Sequence, residues 1–259
     1  MIGWIYFIII IFANSIGAIS GMGGGVIIKP LFDTLGFHDV LAISFYSTVA
    51  VLTMSIVSTI RQVQNGIKVN WVFAILLSVG SVLGGIVGSL GLDSLVQLVS
   101  SEKMVSFIQI ILIILTLFFS YFYSKYQWKG YCFTNHILIF LCGLFLGSIA
   151  SFLGIGGGPL NVALLMLLFS VPIKEATVYS IITILFSQLS KVITIKMNTG
   201  FSSFDLNLLY YIIPAGIIGG LLGAYLSKKI SSNHVAKIYQ IVIIGVLVVN
   251  FYNAWKLFL

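Results

Sequence analysis

The chain has 259 residues, of which 59% are hydrophobic and only 7% are charged, and its mean hydropathy is +1.15. This composition excludes an ordinary soluble globular protein, because such a protein needs far more polar surface to face water. The formal net charge of +7 comes from basic residues scattered singly between apolar segments, which argues against a nucleic-acid-binding surface. The sequence therefore predicts an all-α polytopic membrane protein whose main partner is the lipid bilayer.

Several apolar segments approach the roughly 20 residues that a helix needs to cross the hydrocarbon core of a bilayer. In chain order these segments are 3–20, 71–92, 104–123, 136–152, 206–226 and 235–255. The first segment lacks the basic start of a secretion signal, so we expect it to belong to the fold. The connections between segments are too short for a soluble domain, and a single membrane transport domain is predicted for residues 1–259.

Two glycine-rich runs interrupt the apolar sequence. Residues 21–25 read Gly-Met-Gly-Gly-Gly, and residues 154–158, which lie 133 positions later, read Gly-Ile-Gly-Gly-Gly. The same offset places Tyr46 on Tyr179 and Ser47 on Ser180. The pattern predicts two homologous repeats, about 1–125 and about 134–259, with about five helical segments in each.

Each half reads as a long span, a glycine break, a short apolar segment ending near Leu35 or Phe169, a polar-rich span and two further spans. If the short segment crosses the membrane, the protein has ten spans and inverted halves. If it re-enters, the protein has eight spans and parallel halves. Inversion would place most basic residues on one side, as the positive-inside rule prefers, so we favour inverted repeats. These basic residues are Arg61, Lys68, Lys125, Lys129, Lys174, Lys228, Lys229 and Lys237.

A glycine run weakens a helix by roughly 1 kcal/mol per residue, and it frees backbone groups that lipid cannot satisfy. The breaks must therefore be buried in protein or line a wet cavity. Pro30 and Pro159 follow the two breaks, and proline at a first helical position suits a helix that begins there. The amide groups at such a helix start, together with the helix dipole, attract anions.

Close helix packing is the competing interpretation of glycine at membrane depth. We prefer packing for the glycines that recur at helical spacing, which are Gly84, Gly85, Gly88, Gly219, Gly220 and Gly223. For the two breaks we prefer a ligand site, because close packing needs a glycine at every fourth residue rather than three in succession. The predicted substrate-binding residues on the breaks are Gly21, Gly23, Gly24, Gly25, Pro30, Gly154, Gly156, Gly157 and Gly158.

Polar side chains near the breaks extend this candidate site. They are Lys29, Ser47, Asn161, Ser180 and Gln188. Ionisable or amide side chains within spans are costly and usually face an interior path. The alternatives stay open: a lysine can reach the interface, and a serine can bond to its own helix. On the span of Gln188, Lys191 either lines the path or marks the span's end, whereas Asp33 and Glu175 are expected at segment ends in water.

The sequence predicts no enzyme and no cofactor. The first glycine run has Val26 where a dinucleotide motif needs its third glycine, and the chain has no phosphate-loop lysine and no serine-nucleophile motif. Its histidines and cysteines show no metal-ligand spacing. The remaining hypothesis is a secondary transporter for a small anion, with a proton or sodium as the coupling ion and an anion channel as the alternative.

The first motif, in which apolar residues and Pro30 follow the glycines, together with its copy in the second half, resembles the TauE/SafE family of sulfite and organosulfur exporters. The resemblance covers both repeats. It implies a multi-pass transporter of the bacterial plasma membrane that handles sulfite, thiosulfate or organosulfonates, with a non-sulfur organic anion as the alternative. The second motif departs from the family pattern, because Pro159 stands further forward and Ala163 occupies the later proline position.

Overall fold

The computed structural model describes residues 2–67, 69–99 and 101–258, and these residues form ten α-helices and one short 3-10 turn. The helices of the first half are α1 Ile2–Ser20, α2 Gly25–Leu35, α3 Val40–Gln64, α4 Trp71–Leu98 and α5 Glu102–Tyr126. Those of the second half are α6 His136–Leu153, α7 Pro159–Phe169, α8 Ile173–Asn198, α9 Leu209–Lys229 and α10 Ser232–Phe258. The turn at Leu206–Leu208 precedes α9.

Eight helices of the described chain are long and apolar enough to cross a membrane. The two remaining helices, α2 and α7, have 11 residues each. At 1.5 Å per residue such a helix covers only about half of a hydrocarbon core roughly 30 Å thick. The predicted all-helical polytopic architecture is confirmed, with one short helix after each glycine break.

Helices α1, α3 and α9 run in the same direction. Gly3 at the start of α1 packs on Tyr211 at the start of α9. Gly223 near the end of α9 packs on Ala18 near the end of α1. The contacts between α9 and α3 follow one another in the same order along both helices. The first long helix of one half therefore packs against a late helix of the other half.

Helices α4, α6 and α8 form a second group of helices that run in one direction. Gly80 of α4 packs on Phe140 early in α6, and Gly88 packs on Ser148 further along. Helix α8 runs opposite to α3, because Lys191 near the end of α8 contacts Ser44 near the start of α3. The two groups are thus antiparallel to each other. These directions are the ones that inverted halves require, although the duplication itself stays a prediction from the sequence.

The short helices return the chain towards the face from which each half began. The ring of Phe32, near the end of α2, stacks on the ring of Tyr6 in α1 at a centroid distance of 3.7 Å. In the second half, the Tyr131 amide before α6 donates to the carbonyl of Leu167 near the end of α7. Each break therefore sits at the tip of a helical hairpin inside the protein. Consequently α3 runs in the direction of α1, as the five-segment topology predicts.

Helix ends define two faces of the molecule. The face where α3 ends and α8 begins, called the basic face here, carries seven of the eight basic residues assigned to one side, and Lys68 lies outside the described residues. The opposite face, where α3 begins and α8 ends, carries Lys103, Lys196 and Lys256. The positive-inside rule predicts that the basic face is cytoplasmic.

The glycines with helical spacing bring helices into close contact. A Cβ on Gly84 would overlap the carbonyl oxygen of Leu144 in α6, and a Cβ on Gly220 would lie 2.9 Å from the carbonyl oxygen of Met54 in α3. Larger side chains would force these helices apart. The packing interpretation of these glycines is therefore confirmed.

Candidate functional site

The two glycine breaks meet midway along α3 and α8. A Cβ on Gly156 would lie 2.9 Å from Cγ1 of Val51, near the middle of α3. A Cβ on Gly23 would lie 3.1 Å from Cδ1 of Ile184, near the middle of α8, and Gly157 faces the same isoleucine. Val51 and Ile184 are themselves 133 positions apart. The breaks therefore meet around a pair of equivalent residues, at the depth expected for a transport site.

Main chain meets main chain at this point, which explains the need for glycine. A Cβ on Gly25 would overlap the carbonyl oxygen of Ile155 in the other break, and a Cβ on Gly157 would lie 3.3 Å from the carbonyl oxygen of Met22. A Cβ on Gly24 would overlap the side-chain oxygen of Asn14 in α1. At these glycines the backbones of the two breaks are in direct contact.

The backbone of the two breaks repeats at two glycine pairs and differs at a third, where Gly24 has a φ of −70° and Gly157 a φ of 132°. Gly21 and Gly154 have φ angles of 72° and 68°, and Gly23 and Gly156 have φ angles of 73° and 65°. These left-handed conformations strongly favour glycine. Gly154 forms the C-cap of α6, and its amide donates to the carbonyl of Ser151. The glycines thus stop the first helix of each half and turn the chain back.

Each break ends in a helix start at the centre of the molecule. Helix α2 begins at Gly25 and runs to the opposite face, whereas α7 begins at Pro159 and runs to the basic face. The first amide groups of a helix have no acceptor within the helix. The two N-termini therefore bring free donors and the positive ends of two helix dipoles to the same region.

The structure confirms one predicted proline role and corrects the other. Pro159 is the first residue of α7, where a missing amide costs nothing. Pro30 is the sixth residue of α2, so the expectation that a helix begins at Pro30 is wrong. Helix formation starts earlier because Gly24 already accepts the first amide bonds of α2. The Pro30 carbonyl accepts from the Asn253 amide of α10 at 2.8 Å, which docks α2 on α10.

Three of the predicted polar side chains are buried at the breaks with an atom that has no hydrogen-bond partner among the described residues. These atoms are Oγ of Ser47, Nδ2 of Asn161 and Oε1 of Gln188. Ser47 Oγ lies 3.0 Å from the Cβ position of Gly25, and Cδ of Gln188 lies 3.2 Å from that of Gly156. A buried polar group without a partner costs about 1–3 kcal/mol, so these atoms are suited to a polar ligand.

Ser180 has a different role from its sequence equivalent Ser47. Its hydroxyl donates to the carbonyl of Gly21 at 2.6 Å. The bond joins α8 of the second half to the break of the first half. Ser180 therefore holds the break in place, whereas the Ser47 hydroxyl stays available.

Two buried lysines approach the second break from the side of the opposite face. Nζ of Lys29 lies 3.0 Å from Oδ2 of Asp33, and Cε of Lys29 lies 3.5 Å from the Cβ position of Gly154. Nζ of Lys191 donates to Oγ of Ser44 at 2.7 Å and to the carbonyl of Ser151 at 2.6 Å. Ser44 Oγ itself lies 2.7 Å from the Cβ position of Gly154. The two lysines, Ser44 and Gly154 thus form one cluster, called the lysine cluster here.

The two lysines of the lysine cluster have different neighbours. Within the described residues, Lys29 forms an ion pair with Asp33. Lys191 instead donates to a hydroxyl and to a main-chain carbonyl. Lys191 is also within electrostatic range of Lys29 and of Asp93. A buried ammonium that lacks a contacting acid costs several kcal/mol. The Lys191 amino group is therefore buried without a contacting carboxylate among the described residues.

Sequence reasoning found part of this cluster. It named Lys29, and it left Lys191 between a path residue and an end marker, whereas the structure buries Lys191 in the interior. It placed Asp33 in water, but the Asp33 side chain is only 14% exposed and ion-paired. It missed Ser44 and Ser151, because their partner Lys191 belongs to a distant segment.

Two cavities lie at the opposite face, on the side of the lysine cluster. One has a volume of about 280 Å³, and its lining includes Asp33. The other has a volume of about 710 Å³, and its lining includes Asp93 at the end of α4. Both are bounded by the start of α3 and by neighbouring helix ends on that face. Asp33 and Asp93 thus each line a cavity at the opposite face.

Comparisons with known proteins identify the kind of molecule to which this site belongs. A family model described as "Sulfite exporter TauE/SafE" matches residues 6–250. A Bacillus subtilis (strain 168) protein described as "Probable membrane transporter protein YunE" is 34% identical over 100 residues, which are 38% of this chain and 35% of that protein. This chain therefore aligns with about a third of that relative's length. No solved structure matches at a significant level.

Proposed function

The chain belongs to the TauE/SafE family of membrane transporters, and on that premise we propose that it is a secondary carrier for a small anion bound at the two glycine breaks. The single observation that supports this proposal most strongly is the convergence of two helix N-termini near mid-depth, with two buried lysines beside the second break. Each helix start contributes roughly half a positive charge. A bound anion would offset this positive charge, because the site is buried away from bulk water.

The donor set suits an oxyanion with several acceptor oxygens. Asn161 offers an amide, Ser47 offers a hydroxyl, and the ammonium of Lys29 has donors beyond the one used by Asp33. Hydrogen bonds to a charged group contribute about 1.5–3 kcal/mol each, so two or three of them give useful affinity without trapping the substrate. Gln188 and the main chain of Gly23, Gly25, Gly156 and Gly158 complete the proposed pocket.

Sulfur-containing anions are the substrate class that we propose, with sulfite, thiosulfate and organosulfonates as its members. The family description names sulfite export, and the site described above has the charge that these anions require. A carrier of a non-sulfur organic anion is the second candidate, because a carboxylate accepts the same donors. The setting that we propose is the bacterial plasma membrane, with the basic face towards the cytoplasm.

Transport by purified protein tests the proposal. Folded protein in proteoliposomes should take up labelled thiosulfate or sulfite faster than empty vesicles do. In detergent, the preferred anion should raise the melting temperature, since a ligand at a hundred times its dissociation constant stabilises a protein by about 2.7 kcal/mol. A panel of sulfite, thiosulfate, methanesulfonate, sulfate and acetate would identify the class.

Two outcomes would count against the proposal. Absence of flux and of any thermal shift with every anion, from protein that remains monodisperse, would overturn the anion carrier. Single-protein conductance far above carrier turnover would instead establish the anion channel, which uses the same donors. A thermal shift and flux confined to acetate would keep the carrier and replace the sulfur substrate.

A further inference from the structure

The ion pair between Lys29 and Asp33 lies between the proposed anion site and a cavity at the opposite face. Lys29 is buried and its aliphatic chain lies against Gly154 of the second break. Asp33, one helical turn later, accepts from the Lys29 ammonium at 3.0 Å and lines the cavity of about 280 Å³ at the opposite face. From this arrangement, and resting on the proposed anion transport, we propose that Asp33 binds a proton when the anion takes over Lys29, so that anion and proton travel together.

The exchange keeps a counter-ion beside Lys29 at each step. Without substrate, the Lys29 ammonium is neutralised by the Asp33 carboxylate. An anion that binds at the break becomes the new counter-ion of Lys29, which would leave the carboxylate unpaired in a poorly solvated place. A proton from the cavity then forms an O–H bond on Asp33, and the neutral acid needs no counter-ion. Release of the anion reverses the sequence, because the ammonium and the ionised carboxylate re-form their pair.

The cost of burial drives the coupling. Leaving an unpaired carboxylate in a region of low dielectric costs several kcal/mol, whereas a protonated carboxyl group avoids that cost. Asp33 is 14% exposed, so a proton reaches it, while its partner Lys29 is 1% exposed and keeps its charge inside. The anion and the carboxylate therefore compete for one ammonium. Protonation decides this competition in favour of the anion.

Other titratable groups lie around Asp33, and some of them are held by hydrogen bonds of their own. Those on the neighbouring elements are Tyr6 on α1, His38 and Asp39 before α3, Glu102 and Lys103 on α5, and Lys256 on α10. Asp39 caps α3 by accepting from the Ala42 amide at 2.7 Å. His38 bonds to the hydroxyl of Tyr6 at 2.8 Å. Among the described acidic residues, Asp33 is the one that contacts a lysine reaching the break.

A static ion pair is the competing interpretation, because Lys29 and Asp33 stand four residues apart on one helix. Such a pair would stabilise α2 and nothing more. The two interpretations differ for Asp33→Asn. A structural pair predicts that anion binding weakens when the pair is lost. Proton coupling predicts that binding persists, because the freed ammonium serves the anion at every pH.

The first test uses the unmodified protein and thiosulfate, which remains a dianion across the accessible pH range. In detergent, the dissociation constant should fall as the pH falls, by up to about tenfold per pH unit over the range in which Asp33 titrates, the limit for one coupled proton. In proteoliposomes, an imposed pH gradient should drive thiosulfate accumulation on the alkaline side. A dye inside the vesicles should report protons arriving with the anion.

The second test compares two matched variants. Asp33→Asn should keep thiosulfate binding and thiosulfate exchange between equal pools, but it should lose the pH dependence of binding and accumulation by the pH gradient. Glu175→Gln, which removes the acid in the first turn of α8 at the basic face, should behave like the unmodified protein. Lys29→Gln should weaken thiosulfate binding at least about tenfold, as expected for the loss of one charged hydrogen bond.

The outcomes separate this inference from the proposed function. Thiosulfate transport that ignores the pH gradient in the unmodified protein would overturn the coupling while leaving the carrier intact. Retained pH dependence in Asp33→Asn would remove Asp33 from the coupling. Absence of transport of every anion would instead reject the proposed function, on which the inference depends. Because the first test needs no variant, a folding failure of Asp33→Asn would not leave the inference untested.

Discussion

The two halves share the left-handed glycines that begin their breaks but surround the breaks with different charge. In the first half, the Gln62 amide of α3 reaches the carbonyl of Ala18, in the last turn of α1, at 3.5 Å. In the second half, the Lys191 ammonium of α8 reaches the carbonyl of Ser151, in the last turn of α6, at 2.6 Å. Ala18 and Ser151 are 133 positions apart. A neutral amide and a cation thus satisfy equivalent carbonyls.

The contrast extends to the short helices. Lys29 of α2 has Val162 as its equivalent in α7, and Asp33 has Met166. Both charges of the pair are therefore confined to one half, on the side of the opposite face. The difference teaches that the same glycine turn can occur in both halves while the buried charged residues are concentrated in one. The proposed half-sites would share an anion unequally.

The largest effect should come from filling the contact between the breaks. Gly25 and Gly158 are sequence equivalents, but a Cβ on Gly25 would overlap the carbonyl oxygen of Ile155, whereas a Cβ on Gly158 would lie 3.3 Å from Cδ1 of the same residue. Gly25→Ala should abolish anion transport and destabilise the protein by about 1–3 kcal/mol, because backbone must move to make room. Flux in proteoliposomes and the melting temperature measure both effects.

Gly158→Ala is the matched control, because a methyl group at the end of a flexible side chain can turn aside. Gly158 has a φ of 176°, an extended conformation that alanine adopts freely. This variant should retain most of the transport activity. Equal activity of the two variants would show that the close approach at Gly25 is unimportant and that the breaks are interchangeable.

The sequence predicted the breaks, the long spans and the preference for inverted halves, because glycine runs, hydropathy and basic residues are local signals. It also named Ser47, Asn161 and Gln188, which the structure places at the breaks. It could not assign the hairpin tips to their partners. Gly25 meets Ile155 because helices of one half pack against helices of the other, and such contacts depend on the complete fold rather than on any local pattern.

A smaller effect is expected from making the second half resemble the first. Lys191→Gln would replace the cation with an amide like that of Gln62. We expect the dissociation constant of the transported anion to rise about tenfold to a hundredfold, the equivalent of about 1.5–3 kcal/mol for a charged hydrogen bond. A titration in detergent, following the melting temperature or bound radiolabel, gives this constant directly.

Lys196→Gln provides the control for net charge, because Lys196 is exposed on the same helix near the opposite face. It should leave the dissociation constant within about twofold of the unmodified value, since a screened surface charge acts weakly. An unchanged affinity in Lys191→Gln would make Lys191 a helix-capping residue and would leave Lys29 as the cation of the site. The sequence could not separate these roles, because the partners of Lys191 are Ser44 and Ser151 from two other helices.

The smallest effects test whether the halves are equivalent where they carry no charge. The hydroxyl of Tyr46 accepts from the Asp205 amide at 3.1 Å, and the hydroxyl of Tyr179 accepts from the Asn70 amide at 2.7 Å. The equivalent tyrosines thus bind the loops that precede α9 and α4. Tyr179→Phe should lower the free energy of unfolding by about 1 kcal/mol through the loss of one hydrogen bond. Tyr46→Phe should lower it by about 1–2 kcal/mol, because the Tyr46 hydroxyl also donates to the Asp205 carbonyl at 3.3 Å.

Because the two tyrosines belong to different helix groups, their losses should add in the double variant within about 0.5 kcal/mol. Thermal unfolding in detergent, with transport measured in parallel, provides the test, and transport should be affected equally by the two single changes. A large transport defect in only one of them would extend the asymmetry from the lysine cluster to the loops. The charge difference between the halves would then be part of a wider functional division rather than a feature of the break alone.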